Sequence, residues 1–334
     1  MSAPLICVHQ LSKTYRVAER EAGLRASLRS LVRPQYSQVD AVQSASFELQ
    51  AGEIVGLIGP NGAGKTTTLK MLCGLLHPSE GTAQVAGHTP WQRRPEFLRS
   101  ISMVLGNKSQ LIWDIPALDT FRVLGEIYAV PPAELRRRLD ELAALLDLGG
   151  LLERPVRNLS LGERMKCELA AGLLHRPAVL FLDEPTLGLD VTMQARLRAF
   201  IADYNRRLGA TIILTSHYMA DVTALCERVI LIHHGRIQYD GALSGLAQRL
   251  APFKLIRVAL SGGDRVSPGG TLPDLPPGAE LLEREDHRLT LRIDRQAAPR
   301  VTASLLDCLP VVDLSVEDPP IEAVIDRVYQ EASG

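Results

Sequence analysis

Residues 5–242 carry short apolar runs that alternate with longer segments in which apolar residues recur every three or four positions. The short runs are typical of strands, and the longer spacing is typical of amphipathic helices. The predicted strands are Leu5–Val8, Ala45–Leu49, Ile54–Ile58, Val179–Leu182, Thr211–Thr215 and Val229–His233. The predicted helices are Lys65–Leu76, Pro132–Leu146, Leu161–Leu174 and Val191–Arg207. This alternation predicts an α/β domain.

Beyond residue 242 the pattern changes, because residues 262–278 contain nine Gly or Pro among 17 residues. Such a segment is predicted to be a loop. The short strands predicted around it are Lys254–Leu260, Glu280–Glu285 and Arg288–Ile293, and the predicted helices are Ala297–Leu309 and Pro320–Gln330. Residues 243–334 are therefore predicted to form a small α+β accessory domain, after a first domain at residues 1–242.

Composition restricts the class of protein further. A length of 334 residues corresponds to about two domains, and 46% hydrophobic with 22% charged residues is a globular balance. The net charge of −1 gives no global basic field, so no nucleic-acid partner is expected. Five scattered cysteines argue against a disulfide framework or a zinc site. No apolar stretch approaches the roughly 20 residues of a membrane helix, which predicts a cytosolic protein whose membrane role would need a partner.

The segment Gly59–Thr66 reads Gly-Pro-Asn-Gly-Ala-Gly-Lys-Thr and fits the phosphate-binding pattern G-x-x-x-x-G-K-[ST]. It follows a predicted strand and opens a predicted helix, so backbone N–H groups and the helix N-terminus can face phosphate oxygens. Lys65 is expected to bridge the β- and γ-phosphates, and Thr66 to bind Mg²⁺. The predicted nucleotide-binding residues here are Gly59, Pro60, Asn61, Gly62, Ala63, Gly64, Lys65, Thr66 and Thr67.

Two carboxylates follow the apolar strand that begins at Val179. Asp183 stands at the carboxyl end of this strand, where it can hold Mg²⁺ beside the phosphate-binding loop. Glu184 stands where it could polarise the attacking water as a general base. Together with the loop, these residues predict a nucleoside triphosphatase without identifying its kind.

A third motif, Leu159-Ser160-Leu161-Gly162-Glu163, stands 23 positions before Asp183, counted from Ser160. It opens a predicted helix, so Ser160 and the backbone near Gly162 form a second anion-binding helix terminus. Two such termini in one chain suggest a nucleotide held between two subunits. At this point residues 5–242 resemble the ATP-binding cassette family, whose signature is Leu-Ser-Gly-Gly-Gln. Leu161 and Glu163 depart from that signature, while Ser160 and Gly162 match it.

The resemblance implies roles for several further residues. Tyr15 matches the aromatic residue that stacks on adenine, and the loop Leu187–Asp190 matches the one that communicates across a dimer. His217 matches the switch histidine that contacts the γ-phosphate. Catalysis would then rest on Lys65, Glu184 and His217, with ATP and Mg²⁺ bound.

The family's glutamine loop is less clear in this chain. Asn107 stands near the expected place and Gln110 three residues later, and Asn107 is the favoured sensor of water and Mg²⁺. A helical subdomain at about residues 105–175 would carry both this loop and the signature.

The runs Asn158–Lys166 and Val316–Val324 resemble a bacterial exporter branch of the family. In that branch the ATPase is a separate polypeptide that works with integral membrane permease subunits. The resemblance implies a homodimer of cassettes, cytoplasmic and peripheral on the inner face of the membrane, that couples ATP hydrolysis to permease movement. An alternative is a soluble cassette ATPase that acts on a macromolecular partner such as a ribosome or DNA. Those relatives usually carry two cassettes or a long coiled coil, and this chain has one phosphate-binding loop.

A third alternative is an ordinary GTPase or kinase, which has no need for Ser160 or His217. The run Asn107-Lys108-Ser109-Gln110 resembles a guanine-reading motif but lacks its Asp. Residues 16–40 are predicted to be an insertion that contains an amphipathic surface helix, because Leu24, Leu28, Leu31 and Val32 share one helical stripe. Contact of this insertion with lipid headgroups or a permease loop is a second possibility.

Overall fold

A computed structural model describes residues 3–18, 36–106, 109–250, 253–261, 275–285, 287–319 and 324, with backbone alone at 247–250. The chain divides into two compact units, Met1–Gly241 and Ala242–Gly334. Among the described residues, no helix combines the length and the apolar character that a membrane span requires.

The strands of the first unit form two sheets. They are β1 (Ile6–Ala18), β2 (Tyr36–Leu49), β3 (Ile54–Ile58), β4 (Glu80–Val85), β5 (Ile101–Leu105), β6 (Val179–Asp183), β7 (Thr211–Thr215), β8 (Arg228–His233) and β9 (Arg236–Ala242). A three-stranded antiparallel sheet has the order β2-β1-β4, and a six-stranded sheet has the order β5-β6-β7-β3-β8-β9. From β5 to β8 the neighbouring strands run parallel.

Helices cover and connect these sheets. They are α1 (Lys65–Leu72), α2 (Pro95–Ser100), α3 (Ala117–Ile127), α4 (Pro132–Leu146), α5 (Leu161–Leu173), α6 (Val191–Leu208) and α7 (Met219–Leu225), with short 3₁₀ turns at Pro90–Gln92, Gly149–Leu151 and Val156–Asn158. Among them, α3, α4 and α5 form the helical part that separates β5 from β6 in sequence.

The hydrophobic core of the first unit joins both sheets to α1. Leu11 of β1, Leu57 of β3, Phe181 of β6 and Leu69 of α1 are all fully buried in one cluster. Strands β6 and β7 are buried along their whole length, which explains their unbroken apolar sequences. Because β6, β7 and β3 are parallel neighbours, their carboxyl ends meet at one edge of the sheet.

The second unit contains a four-stranded antiparallel sheet with the order β11-β12-β10-β13. Its elements are α8 (Leu243–Leu250), β10 (Phe253–Leu260), β11 (Ala279–Glu285), β12 (Arg288–Asp294), α9 (Ala298–Cys308) and β13 (Val311–Glu317). Side chains of the sheet and of α9 form a separate core that includes Ile256, Leu291 and Leu305. The predicted classes, α/β for the first part and α+β for the second, are confirmed.

Several element boundaries differ from those predicted. The predicted helix Lys65–Leu76 ends at Leu72, because Gly74 follows with a φ of 74° and a Cβ there would lie 2.3 Å from the carbonyl oxygen of Pro90. Four strands, β4, β5, β9 and the edge strand β13, lie outside the predicted strands. The predicted helix Pro320–Gln330 lies outside the described residues apart from Val324.

The predicted insertion at residues 16–40 begins and ends in strands. Strand β1 continues to Ala18 and β2 already starts at Tyr36, and these two residues pair with each other. The predicted strand Ala45–Leu49 is therefore only the last part of β2. The amphipathic helix predicted between the two strands lies outside the described residues.

Candidate active site

The loop Gly59–Thr66 joins the end of β3 to the start of α1. Gly64 is the N-cap of α1 and has a φ of 107°, in the left-handed region. A Cβ at Gly64 would lie 2.3 Å from the carbonyl oxygen of Ala41, so only glycine fits between the loop and β2. Gly62 also has a positive φ, of 80°, but no described atom lies within 4 Å of where its Cβ would be. The loop is thus tightly packed on one side and open beside Gly62.

The Lys65 side chain lies within this loop. Its amine donates hydrogen bonds to the carbonyl oxygens of Gly59 (2.6 Å) and Pro60 (3.0 Å), and the residue is only 5% exposed. Burial lowers the pKa of Lys65, while the carboxylates of Glu184 and Asp183 oppose that shift. Lys65 therefore supplies a buried cationic donor next to two acidic groups, where it could bind phosphate oxygens.

We expect Lys65→Ala to weaken ATP binding roughly 10- to 100-fold, because charge-assisted hydrogen bonds contribute about 1.5–3 kcal/mol each. Isothermal titration with ATP measures this effect. Lys70→Ala is the matched control, since Lys70 lies in the last turn of the same helix. An unchanged affinity in Lys65→Ala, with Lys70→Ala also unchanged, would contradict the role of Lys65 in phosphate binding.

Asp183, at the end of β6, is hydrogen-bonded to the start of α1 and to the end of β7. The Thr66 hydroxyl donates to its carboxylate, with distances of 2.9 Å to Oδ2 and 3.1 Å to Oδ1. The Thr215 hydroxyl, at the end of β7, donates to Oδ1 at 2.7 Å. A carboxylate that faces a hydroxyl at the phosphate-binding loop is a pair of hard oxygen ligands of the kind that Mg²⁺ prefers. The residues present therefore fit this metal.

Glu184 follows Asp183 in an unusual backbone conformation. Its φ is 55°, in the left-handed region, which costs free energy for any residue other than glycine. Its N–H donates both to the carbonyl oxygen (3.0 Å) and to the hydroxyl (3.1 Å) of Thr215. Oε1 of Glu184 lies 2.7 Å from Nε2 of His217. This turn directs the Glu184 carboxylate to the side chain that follows β7, and both groups remain partly open to solvent.

The end of β5 packs directly against Glu184. The N–H of Gly106 donates to the carbonyl oxygen of Asp183 at 2.9 Å, and a Cβ at Gly106 would lie 2.2 Å from the carbonyl oxygen of Glu184. Only glycine can therefore bring this strand end so close. Asn107, the favoured sensor, is the next residue and lies outside the described residues.

Gln110 is held by α5. Its N–H donates to Oε2 of Glu168 at 3.0 Å, and its side-chain amide donates to the carbonyl oxygen of Glu168 at 3.0 Å. The Ser109 hydroxyl also donates to the Glu168 carboxylate. Burial raises the pKa of Glu168, and these hydrogen bonds oppose the shift. The Gln110 amide is thus engaged with helix α5.

The signature helix α5 begins with a capping box. The Ser160 hydroxyl accepts the N–H of Glu163 (3.3 Å), and Oε2 of Glu163 accepts the N–H of Ser160 (2.8 Å). These hydrogen bonds and the Arg154 guanidinium lower the pKa of Glu163. The carboxylate of Glu163, which stands where the family has Gln, thus accepts a hydrogen bond from the backbone at the start of α5. Ser160 itself is exposed at the surface.

Leu161, the other departure from the signature, packs on the loop after Glu184. A Cβ at Gly188 would lie only 2.8 Å from Cδ2 of Leu161, and Gly188 has a φ of 76°. A Cβ at Gly162 would lie 3.5 Å from Cε of Met193 on α6, an ordinary van der Waals distance. The signature and the loop Leu187–Asp190 therefore contact each other within one chain.

Tyr15 lies in β1, opposite Val39 of β2, and is 36% exposed. The Lys13 amine lies 5.5 Å from the centroid of its ring. An aromatic ring that is exposed in this way can stack on a base. Strand β2 contacts the phosphate-binding loop through Ala41, so the sheet that carries Tyr15 reaches the loop.

The structure brings one part of the predicted set together. Thr66, Asp183, Glu184 and His217 form a continuous chain through Thr215, with Lys65 beside them. Asn61 is exposed in the loop, Ala63 is buried, and Thr67 is half-buried on α1. Among the described residues, no hydrogen bond joins Ser160, Gly162 or Tyr15 to this chain. Within the described part of the chain, Ser160 and Gly162 thus contribute no hydrogen bond to the hydrolytic groups.

Sequence reasoning missed three residues of this site, Thr215, Gly106 and Glu168. Thr215 ends a predicted strand directly before Ser216 and His217, so its position next to Asp183 followed from strand order. Gly106 and Glu168 gave no such signal, because their roles depend on contacts between β5, β6 and α5.

Comparison with known proteins matches both units to families. Residues 42–187 match the family profile described as ABC transporter. Residues 252–317 match the profile described as EvrA-like ABC transporter, C-terminal domain. Among solved structures, an ATP binding subunit of an ABC transporter matches with a TM-score of 0.62 and 26% identity, covering 73% of this chain and 92% of that one. The dimeric cassette MJ0796, in a post-hydrolysis state with ADP and Pi, shares the fold with a TM-score of 0.60 and 23% identity, covering 71% of this chain and 98% of that one.

Curated relatives cover most of the chain. The linearmycin resistance ATP-binding protein LnrL of Bacillus subtilis (strain 168) is 30% identical over 301 residues, 87% of this chain and 94% of the relative. The ABC transporter ATP-binding protein NatA of the same organism is 36% identical over 208 residues, 62% of this chain and 84% of the relative. The doxorubicin resistance ATP-binding protein DrrA of Mycobacterium tuberculosis (strain ATCC 25618 / H37Rv) is 34% identical over 212 residues, 64% of this chain and 63% of the relative.

Proposed function

This chain belongs to the ATP-binding cassette transporter family as an ATP-hydrolysing subunit of exporter type, and we propose that it drives integral membrane permease subunits as a homodimer. The observation that carries the proposal is that Ser160 is exposed and, among the described residues, makes no hydrogen bond to the hydrolytic groups of its own chain. Thr66, Asp183, Glu184 and His217 are joined by hydrogen bonds through Thr215, whereas Ser160 is exposed elsewhere. A second copy of the chain can bring its Ser160 to these groups, as a two-fold symmetric dimer would.

The roles of the residues follow from their chemistry. The loop Gly59–Thr67 and the Lys65 amine bind the phosphates, and Tyr15 stacks on adenine. Glu184 accepts the proton of the attacking water, and His217, which is 2.7 Å from Glu184, contacts the γ-phosphate. Asn107, outside the described residues, senses the water. Ser160 and the backbone at Gly162 bind the γ-phosphate of the nucleotide held by the partner.

Thr66 and Asp183 would hold Mg²⁺ together with the nucleotide. Their oxygens face each other at 2.9 Å, at the start of α1 and the end of β6. When bound, the metal neutralises phosphate charge that otherwise opposes attack on the γ-phosphate.

ATP binding would close the two cassettes on each other, and hydrolysis with product release would reopen them. The permeases follow this motion, and they hold the cassettes at the inner face of the cell membrane. We propose that residues 243–334 are an accessory domain after a cassette at 1–242. The compact units Met1–Gly241 and Ala242–Gly334, and a second family profile that begins only at residue 252, support that division.

Gentle solubilisation of native membranes tests the exporter role. A tagged Glu184→Gln variant with ATP and Mg²⁺ should co-purify with an integral membrane protein that has several spanning helices, identified by mass spectrometry. The tagged Lys65→Ala variant is the control for nucleotide-dependent association. Recovery of ribosomal proteins or DNA-binding proteins instead would contradict the exporter role and favour a cassette that acts on a macromolecule.

A further inference from the structure

A buried carboxylate, Asp221, lies in the first turn of α7, four residues after His217. Its side chain is 0% exposed. Oδ2 accepts hydrogen bonds from the hydroxyls of Thr186 (2.5 Å) and Ser216 (2.7 Å), and Oδ1 accepts one from Nη1 of Arg198 (2.8 Å). We call Asp221, Thr186, Ser216 and Arg198 the Asp221 cluster.

The Asp221 cluster joins the two loops that carry Glu184 and His217. Thr186 follows Glu184 by two positions and is 1% exposed. Ser216 directly precedes His217, and its hydroxyl also accepts the N–H of Tyr218 at 3.0 Å. The Ser216 hydroxyl thus holds the turn that contains His217: it accepts the N–H of Tyr218, on the C-terminal side of His217, and donates its own proton to Asp221.

A carboxylate is costly to bury unless its oxygens are paired, and here every partner lies on a different segment. Thr186 is in the loop after β6, Ser216 follows β7, and Arg198 lies on α6. An apolar side chain of similar size could fill the same space. What it could not do is fix the directions of two hydroxyls and a guanidinium, so the carboxylate is suited to orienting these three segments.

Glu184 needs such support. Its φ of 55° lies in the left-handed region, where a residue with a side chain stays only if its surroundings hold it. Its contact with His217, 2.7 Å between Oε1 and Nε2, depends on two loops that leave two different strands. Thr215 fixes Glu184 from the N-terminal side, and the Asp221 cluster is the corresponding support from the C-terminal side.

We propose that Asp221 is a positioning residue for ATP hydrolysis, which orients Glu184 and His217 through Thr186 and Ser216 without touching the nucleotide or the water. The inference rests on the ATPase function proposed above. It assigns to Asp221 an effect on turnover and none on nucleotide binding, because the Lys65 amine hydrogen-bonds to Gly59 and Pro60 and to no member of the Asp221 cluster.

Asp221→Asn tests this role. The amide keeps the shape of the side chain, but its NH₂ group is a donor where Asp221 accepts hydrogen bonds from Thr186, Ser216 and Arg198. We expect kcat to fall about 10- to 100-fold, as small displacements of reacting groups have effects of this size. The KM for ATP should stay within about threefold of the wild-type value. Thr186→Val and Ser216→Ala, which each remove one donor and keep the Asp221–Arg198 pair, should lower kcat about 2- to 10-fold.

A double-mutant cycle separates a shared role from independent damage. If Asp221 acts through Thr186, the Asp221→Asn/Thr186→Val double variant should have a kcat within about twofold of Asp221→Asn alone. Effects that simply multiply would show that the two residues act separately and would overturn the proposed route through Thr186.

The control for a loss of stability alone is Phe97→Leu. Phe97 is fully buried in the core and lies outside the Asp221 cluster. This variant should lower the melting temperature and leave kcat per folded molecule unchanged. The inference is overturned if Asp221→Asn and Thr186→Val, like Phe97→Leu, lower the melting temperature and leave kcat per folded molecule unchanged. It is also overturned if they raise KM at an unchanged kcat. Should Asp221→Asn fail to fold, Thr186→Val and Ser216→Ala decide the question.

Failure of this inference is distinguishable from failure of the proposed function. A wild-type protein without ATPase activity, or Glu184→Gln with wild-type activity, would contradict the ATPase mechanism itself. Wild-type turnover in the Asp221 cluster variants, together with an inactive Glu184→Gln, would contradict only the positioning role.

Discussion

Replacement of Glu184 by glutamine is expected to lower steady-state ATP hydrolysis about 10²- to 10⁴-fold, the usual loss when a general base is removed. In the wild-type chain, Oε1 of Glu184 lies 2.7 Å from Nε2 of His217. The amide of glutamine keeps the shape of the side chain and can still contact His217, but it cannot accept the proton of water. ATP binding should persist, because Lys65 and the phosphate-binding loop are unchanged. Phosphate release under saturating ATP and Mg²⁺ measures the rate.

The same variant should accumulate with ATP as a closed dimer, seen as a larger species in size-exclusion chromatography. Glu227→Gln is the matched control, since it makes the same chemical change at an exposed position after α7. Steady-state phosphate release near the wild-type rate in Glu184→Gln would remove Glu184 from the role of base.

Mixing two inactive variants should restore part of the activity if each site is built from two chains. Lys65→Ala and Ser160→Arg homodimers each carry a defect in both sites, so both should be nearly inactive. In a mixed dimer the two defects meet in one site and leave the other intact. Random exchange makes half of the dimers mixed, so we expect recovery of about a quarter of the wild-type rate if one site can turn over alone.

A second mixture is the control for this test. Lys65→Ala with Glu184→Gln places one defect in each site of the mixed dimer, because Lys65 and Glu184 belong to the same half-site. No recovery is expected there. Subunit exchange is verified in both mixtures with two different affinity tags. If exchange occurs and neither mixture recovers activity, the result contradicts a sandwich dimer in which one intact site turns over alone. Because Ser160→Arg also removes a helix cap, its melting temperature is measured first.

Much of the central architecture could be predicted from local patterns. Strands β6 and β7 are fully buried and β3 is buried apart from its first residue, and the motif residues lie at or just after the carboxyl ends of these short strands. Parallel neighbours place those ends together, so the proximity of Thr66 to Asp183 is a consequence of sheet order. In this part of the chain, the local sequence pattern of each strand agrees with the position of that strand in the sheet.

Other features depend on contacts between segments that are distant in sequence. Gly106 approaches Glu184 because β5 lies beside β6, and Gln110 is held by Glu168, 58 positions away. Strand β13 has an irregular alternation of apolar and polar residues, since it is an edge strand with one partner, β10. The full length of the β1–β2 pair could not be predicted from apolar runs, because both strands carry polar residues such as Thr14 and Asp40, whose side chains hydrogen-bond to each other.

Contact between Leu161 and Gly188 also has an evolutionary consequence. A Cβ at position 188 would lie 2.8 Å from Cδ2 of Leu161, so the two groups would collide unless the Leu161 side chain, which is 38% exposed, moves. In a lineage with glycine at position 161, this collision is absent and only the left-handed backbone restricts position 188. In this chain a side chain at position 188 would therefore require both a left-handed backbone and a shifted Leu161 side chain. Substitutions at the two positions are expected to covary, with Leu161 accompanied by glycine at 188.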